Sequence, residues 1–204
     1  MSGRRDELVE RALGYFLEHG VAALSLRPLA EAVGTSARML VYHFGSKEGL
    51  VTAVMDELQA RIRRSFAELA SAAAGRRRGG EMRAFWAWLV EPERAAYLRL
   101  LFEVQALAMR DPARYGRYLE GTSSGWLDLI EASLPPSRSR RALATLCAAV
   151  IDGLLLEYVA TGDARRTGEA VALFGRLLKG GLAGASGSAG GSPRRQTMEA
   201  SDGR

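Results

Sequence analysis

Gly34 constrains this chain more than any other residue. It sits inside LRPLAEAVGTSARMLVYHF, residues 26–44, where two short helical patterns meet. Leu29, Ala30 and Val33 share one face of the first pattern, and Leu40 and Phe44, four apart, share one face of the second. A helix that ends and turns sharply usually needs a residue in the left-handed conformation, which only glycine adopts cheaply. Thr35 or Ser36 then offers a hydroxyl N-cap to the second helix. Ala30 is small at the point where the two helices must cross closely. The spacing of Ala30, Gly34 and Leu40 is that of a helix-turn-helix, a bend that turns the second helix outward. The exposed face of that helix can then enter a DNA major groove.

The residues that follow carry a longer pattern. GTSARMLVYHFGSKEGL, residues 34–50, resembles the signature of the tetracycline-repressor (TetR) family of bacterial transcription regulators, roughly G-V-S-x-x-x-L-Y-x-H-F-x-S-K-E-x-L. Gly34, Ser36, Leu40, His43, Phe44, Ser46, Lys47, Glu48 and Leu50 match it without a gap. Val41 stands where the family has tyrosine, and the aromatic residue is Tyr42 instead, so the phosphate contact of the family tyrosine cannot come from Val41. The resemblance is specific over about the first fifty residues; beyond them it rests on length and helical pattern. It implies that Tyr42, His43 and Lys47 contact backbone phosphates, that Arg27 reaches the groove, and that the last two helices build a homodimer through a four-helix bundle. A two-fold dimer would place its recognition helices in successive major grooves and read a near-palindromic operator in double-stranded DNA.

Bulk properties agree with an all-α chain. The 204 residues allow one domain or two small ones with a real core, apolar content is 48%, and no period-2 run of β-branched residues suggests a sheet. One cysteine, Cys147, leaves no internal disulfide and reads as a small buried apolar residue. Charged residues 4–10 lead straight into an amphipathic helix, so no leader is visible. The longest apolar run, 142–151, is too short to span a bilayer and meets Asp152. The expected location is cytoplasmic, with no membrane partner. The net charge of +5 permits a polyanionic partner. In the first fifty residues, however, Arg4, Arg5, Arg11, Arg27, Arg38 and Lys47 are matched one for one by Asp6, Glu7, Glu10, Glu18, Glu31 and Glu48. DNA binding must therefore rest on local placement of positive groups.

Helical periodicity continues along the chain. A first helix is expected over 4–19, stopped by Gly20. Ser25 caps a second, with Pro28 in its first turn, and Ser46 caps a fourth running to about residue 74. Arg4 and Arg5 lie at the N-terminus, where they can reach DNA or stay solvated. The same choice stands for Arg76, Arg77 and Arg78 in the loop 75–80. Further helices are expected over 81–90, from Pro92 to about 109, over 112–134, over 140–161 (opened by Ser137 or Ser139) and over 164–179. The Gly- and Ser-rich remainder reads as a disordered tail. The architecture is thus an N-terminal three-helix helix-turn-helix head (1–50), a C-terminal helical ligand-binding and dimerisation bundle (51–180) and a tail (181–204).

Arg38, at the exposed start of the recognition helix, can bond a guanine edge with two N–H groups. Ala37 and Met39 flank it and can touch a thymine methyl, and Ser36 adds a hydroxyl at the positive helix end. In the body, Trp86, Phe102 and Trp126 can line an apolar cavity, with Glu103 and Asp152 as polar anchors inside apolar stretches. Core packing explains each aromatic equally well. The last two helices are apolar on more than one face, which calls for burial on two sides. Two readings stay open: a repressor released by a small, largely apolar ligand, or a DNA-binding dimer whose body is only a scaffold. No nucleophile–base pair, metal-ligand spacing or phosphate loop is present, and both histidines, His19 and His43, lie in the head. No enzyme activity, cofactor or metal is expected.

Overall fold

Several helices in this chain begin where a side-chain oxygen takes up a loose N–H group. Ser36 Oγ accepts from the Met39 N–H at 3.2 Å, Ser46 Oγ from the Gly49 N–H at 2.9 Å, and an Asp111 carboxylate oxygen from the Arg114 N–H at 3.4 Å. The computed structural model describes residues 3–73 and 81–187. Those residues form α1 (Arg4–His19), α2 (Leu26–Ala32), α3 (Ala37–Phe44), α4 (Lys47–Ala73), α5 (Glu81–Leu89), a 3₁₀ turn (Pro92–Arg94), α6 (Ala95–Arg110), α7 (Pro112–Ser133), α8 (Arg140–Thr161) and α9 (Ala164–Gly187), with no strand among them.

Two boundaries and two caps differ from expectation. The segment opened by Pro92 makes a tight 3₁₀ turn before α6 begins at Ala95. Ser25 sits at the α2 N-cap without a side-chain bond, and so does Ser139 at α8. α9 continues past Lys179 to Gly187, because glycine weakens a helix without forbidding it and Leu182, Ala183 and Ala185 are good helix formers. Arg76, Arg77, Arg78 and residues 188–204 lie outside the described residues.

α1 buries Leu8, Val9, Ala12, Leu13 and Phe16 against α2 and α4. Leu29, Ala30, Val33 and Leu40 close the head core, with Leu50, Val51 and Val54 from α4. Met55, Leu58 and Ile62 carry the same helix on into the body, so one hydrophobic cluster runs from head to body. α4 packs on α5 and α7, α6 on α7 and α8, and α9 on α5 and α8. α6 also touches α1. By length and composition α8 can cross a membrane, being longer than the apolar run inside it. Only 17% of its apolar window is buried in the single chain, which leaves Leu146 and Leu156 exposed beside Leu173 and Leu177 of α9.

Candidate nucleic-acid interface

The turn that presents α3 is built from backbone and arginine. Gly34 adopts φ +71°, the left-handed conformation its position calls for. The Thr35 N–H donates to the Ala30 carbonyl at 2.8 Å. Arg11 Nη1 donates to the Val33 carbonyl at 3.2 Å and Arg4 Nη2 to the Gly34 carbonyl at 3.4 Å, so α1 satisfies carbonyls that α2 leaves open at its end. The Arg5 guanidinium lies over the Phe44 ring at 5.1 Å. The N-terminal arginines are thus the first turn of α1, engaged with the head itself.

On this base α3 buries Leu40 and half-buries Ala37 against the core, and shows its other face to solvent. Arg38 is exposed, and Met39, Val41 and Tyr42 are 41, 43 and 78% exposed. Apolar and aromatic side chains this open on a short helix are unusual unless a partner covers them. Arg27, in the first turn of α2, is exposed too, and neither Arg27 nor Arg38 has an ion pair or hydrogen bond among the described residues. His43 is half-buried, with its ring edge-on to Tyr42 at 5.2 Å. Lys47 Nζ donates to the Leu24 carbonyl at 3.4 Å, so its ammonium braces the loop before α2 while staying half-buried. Ser36 Oγ is committed to its cap. Arg27 is thus on α2, Ser36, Ala37, Arg38, Met39, Tyr42 and His43 are on α3 or at its N-cap, and Lys47 is the first residue of α4.

The residues of the body that sequence singled out do not share one cavity. Trp126 packs on Phe66 and Phe85 at ring distances of 6.4 and 6.1 Å, and Phe102 is half-buried against the core. Trp86 lies under α9, where its indole edge meets Gly168; its Nε1–H is the one buried side-chain donor without a partner among the described residues. Asp152 is on the outward face of α8, yet the apolar surroundings push its carboxyl above the usual carboxylate range. Glu103 Oε1 accepts from the backbone N–H of Val21 at 2.9 Å and of Ala22 at 2.7 Å. An open groove of about 350 Å³ lies between α4 and the α5–α6 junction, lined by Leu58, Arg61, Trp88, Arg94 and Tyr97. A second, of about 390 Å³, lies between α5 and α9 and includes Trp86. Among the described residues, no cluster of three His, Cys, Asp or Glu side chains could hold a metal.

Two body-to-head ties had no local signature. In sequence Glu103 is only a carboxylate interrupting an apolar stretch, and nothing near Arg61 signals that it pairs with both Glu10 of α1 and Glu57 of α4.

Known proteins resemble the chain at two levels. Residues 8–54 match the profile described as bacterial regulatory proteins, tetR family. The chain is 28% identical over 171 residues to the HTH-type transcriptional repressor AcnR of Corynebacterium diphtheriae, covering 80% of this chain and 85% of that protein. It is 41% identical over 54 residues to the HTH-type transcriptional repressor KstR2 of Rhodococcus jostii, where the match spans 26% of each chain. A solved transcriptional regulator from Rhodococcus sp. Rha1 shares the fold at a TM-score of 0.68 with 16% identity, covering 88% of this chain and 97% of that one.

Proposed function

Because the chain belongs to the tetR family of bacterial regulatory proteins, we propose that it is a sequence-specific DNA-binding repressor of transcription, acting in the cytoplasm as a homodimer on a near-palindromic operator. The observation that carries this is the outward face of α3, where Arg38, Met39 and Tyr42 stand clear of a rigid head. Arg38 reads a guanine edge, Ala37 and Met39 meet thymine methyl groups, and Arg27 enters the same groove. Tyr42, His43 and Lys47 hold phosphates, with Ser36 at the helix N-terminus, and these contacts set register without reading sequence. The repressor sign is carried over from the relatives, which are named repressors.

Dimerisation covers Leu146, Leu156, Leu173 and Leu177 of α8 and α9. A small, largely apolar ligand releases the operator by binding more tightly to a dimer whose heads no longer fit it. The groove between α4 and α6 suits such a ligand, because it is mainly apolar and holds Arg61, which also grips Glu10 of the head. The packing of Phe66, Phe85, Trp88 and Trp126 on one another favours a second reading, in which the body is a dimerisation scaffold without an inducer.

The deciding experiment is selection of DNA from a random pool by the purified protein. A recovered palindrome is expected; recovery of no motif at moderate salt overturns the proposal. Screening small apolar molecules for release of the selected operator then separates the two readings, since a scaffold responds to none.

A further inference from the structure

We infer that Glu103 is a positioning residue: a carboxylate latch by which the body fixes the angle of the DNA-binding head. Its Oε1 accepts from two successive backbone N–H groups, Val21 at 2.9 Å and Ala22 at 2.7 Å, more than eighty residues away in sequence. Hydrogen bonds from backbone N–H to an ionised acceptor are short and strong, and a shared oxygen fixes direction as well as distance. The neighbouring residue is shaped to admit it. Gly20 has φ +71°, and a Cβ there would lie 3.0 and 3.1 Å from the two carboxylate oxygens of Glu103.

The latched segment leads directly into α2. It is also held from the head side, where Lys47 Nζ donates to the Leu24 carbonyl. The loop between α1 and α2 is thus clamped by an ammonium from the start of α4 and a carboxylate from α6. α6 borders the 350 Å³ groove through Tyr97 and Leu98, so movement of α6 is passed to the loop through Glu103. Resting on the dimeric reading above, the inference is that this latch sets the separation of the two recognition helices, and with it the half-site spacing the dimer accepts.

The test uses the full-length protein and its Glu103→Ala and Glu103→Gln variants. Affinity is measured for the selected operator and for versions with the half-sites moved by one and two base pairs. The wild type is expected to lose at least tenfold on each shifted operator. Glu103→Ala is expected to bind all spacings within about threefold while keeping the same half-site sequence. Glu103→Gln retains the accepting Oε1 and is expected to restore the wild-type spacing preference. Wild-type spacing preference in Glu103→Ala overturns the inference, as does a uniform loss on every operator with a lowered melting temperature.

A second readout needs no DNA. Spin labels at Glu31→Cys in the head and Arg83→Cys in the body, in a Cys147→Ala background diluted with unlabelled chain, report the head-to-body distance. A narrow distribution in the wild type that broadens in Glu103→Ala supports the latch even if no operator is found; an unchanged width overturns it. If Glu103→Ala does not fold, Glu103→Asp, whose carboxylate falls one methylene short, serves both comparisons.

Discussion

At the scale of single residues, the head separates groups that shape it from groups left free to recognise. Gly34 belongs to the first kind. A side chain there would be forced into the left-handed conformation, with its Cβ 3.3 Å from Arg11 Nη1. Gly34→Ala is expected to destabilise the protein by about 1–2 kcal/mol, read as a lowered thermal midpoint. Arg38 belongs to the second kind, being exposed and without a partner among the described residues. Arg38→Ala should cost about 1–3 kcal/mol of discrimination at one base position, measured by competition between operator variants. Lys47→Ala should instead weaken all DNA about equally and reduce the salt slope by about one. Equal loss of sequence preference in both variants would refute that division. These residues were legible because helix-turn-helix chemistry is local: a small crossing residue, a glycine and a hydroxyl cap (Ala30, Gly34 and Ser36) lie within seven positions. The second role of Lys47, bracing the Leu24 carbonyl, was not legible, because that contact forms only once α4 folds back on the α1–α2 loop.

At the scale of helices, most boundaries could be read from caps and breakers, and most partners could not. Asp111, Pro112, Gly162 and the Pro135–Pro136 pair mark ends in the sequence itself. That Trp126 packs on Phe66 and Phe85, while Trp86 faces Gly168, depends on how four helices cross, which periodicity does not specify. The outward faces of α8 and α9 yield two predictions. Leu156→Glu should weaken the dimer about 100-fold or more, because a two-fold interface loses the burial of two leucines, each contributing at least about 1.5 kcal/mol; sedimentation over a concentration series measures it. Asp152 acts in the opposite direction. The apolar side chains around this outward-facing residue desolvate its carboxyl and raise it above the ordinary value, so the folded state holds the proton more tightly than the unfolded state. Stability is therefore fullest in acid and falls as pH rises from the ordinary carboxylate value through the raised one. Asp152→Asn should raise the thermal midpoint at pH 8 and leave it unchanged at about pH 4, as melting at the two pH values will show.

For the whole molecule, one continuous core joins head and body, and a division after residue 50 runs through α4 rather than between elements. That continuity was only partly readable: the apolar stripe of α4 predicted a long helix, but the ties from Glu103 and Arg61 to the head depend on distant segments meeting. Recognition by a dimer adds a collective term that no single residue supplies. With about eight phosphate contacts per dimer, affinity should fall by roughly 10⁴ between 50 and 200 mM salt. A binding titration over that range checks it, and a flat response would mean that α3 does not lie along a phosphate backbone.

The unbroken α4 also has a mechanical meaning. Its 27 residues span about 40 Å at 1.5 Å per residue. Held near its far end, such a rod acts as a lever: a tilt of about 5° carries its head end some 3.5 Å, close to the roughly 3.4 Å that each base pair advances along the DNA axis. A displacement too small to disturb any helix can therefore put the protein out of step with its target by one base pair.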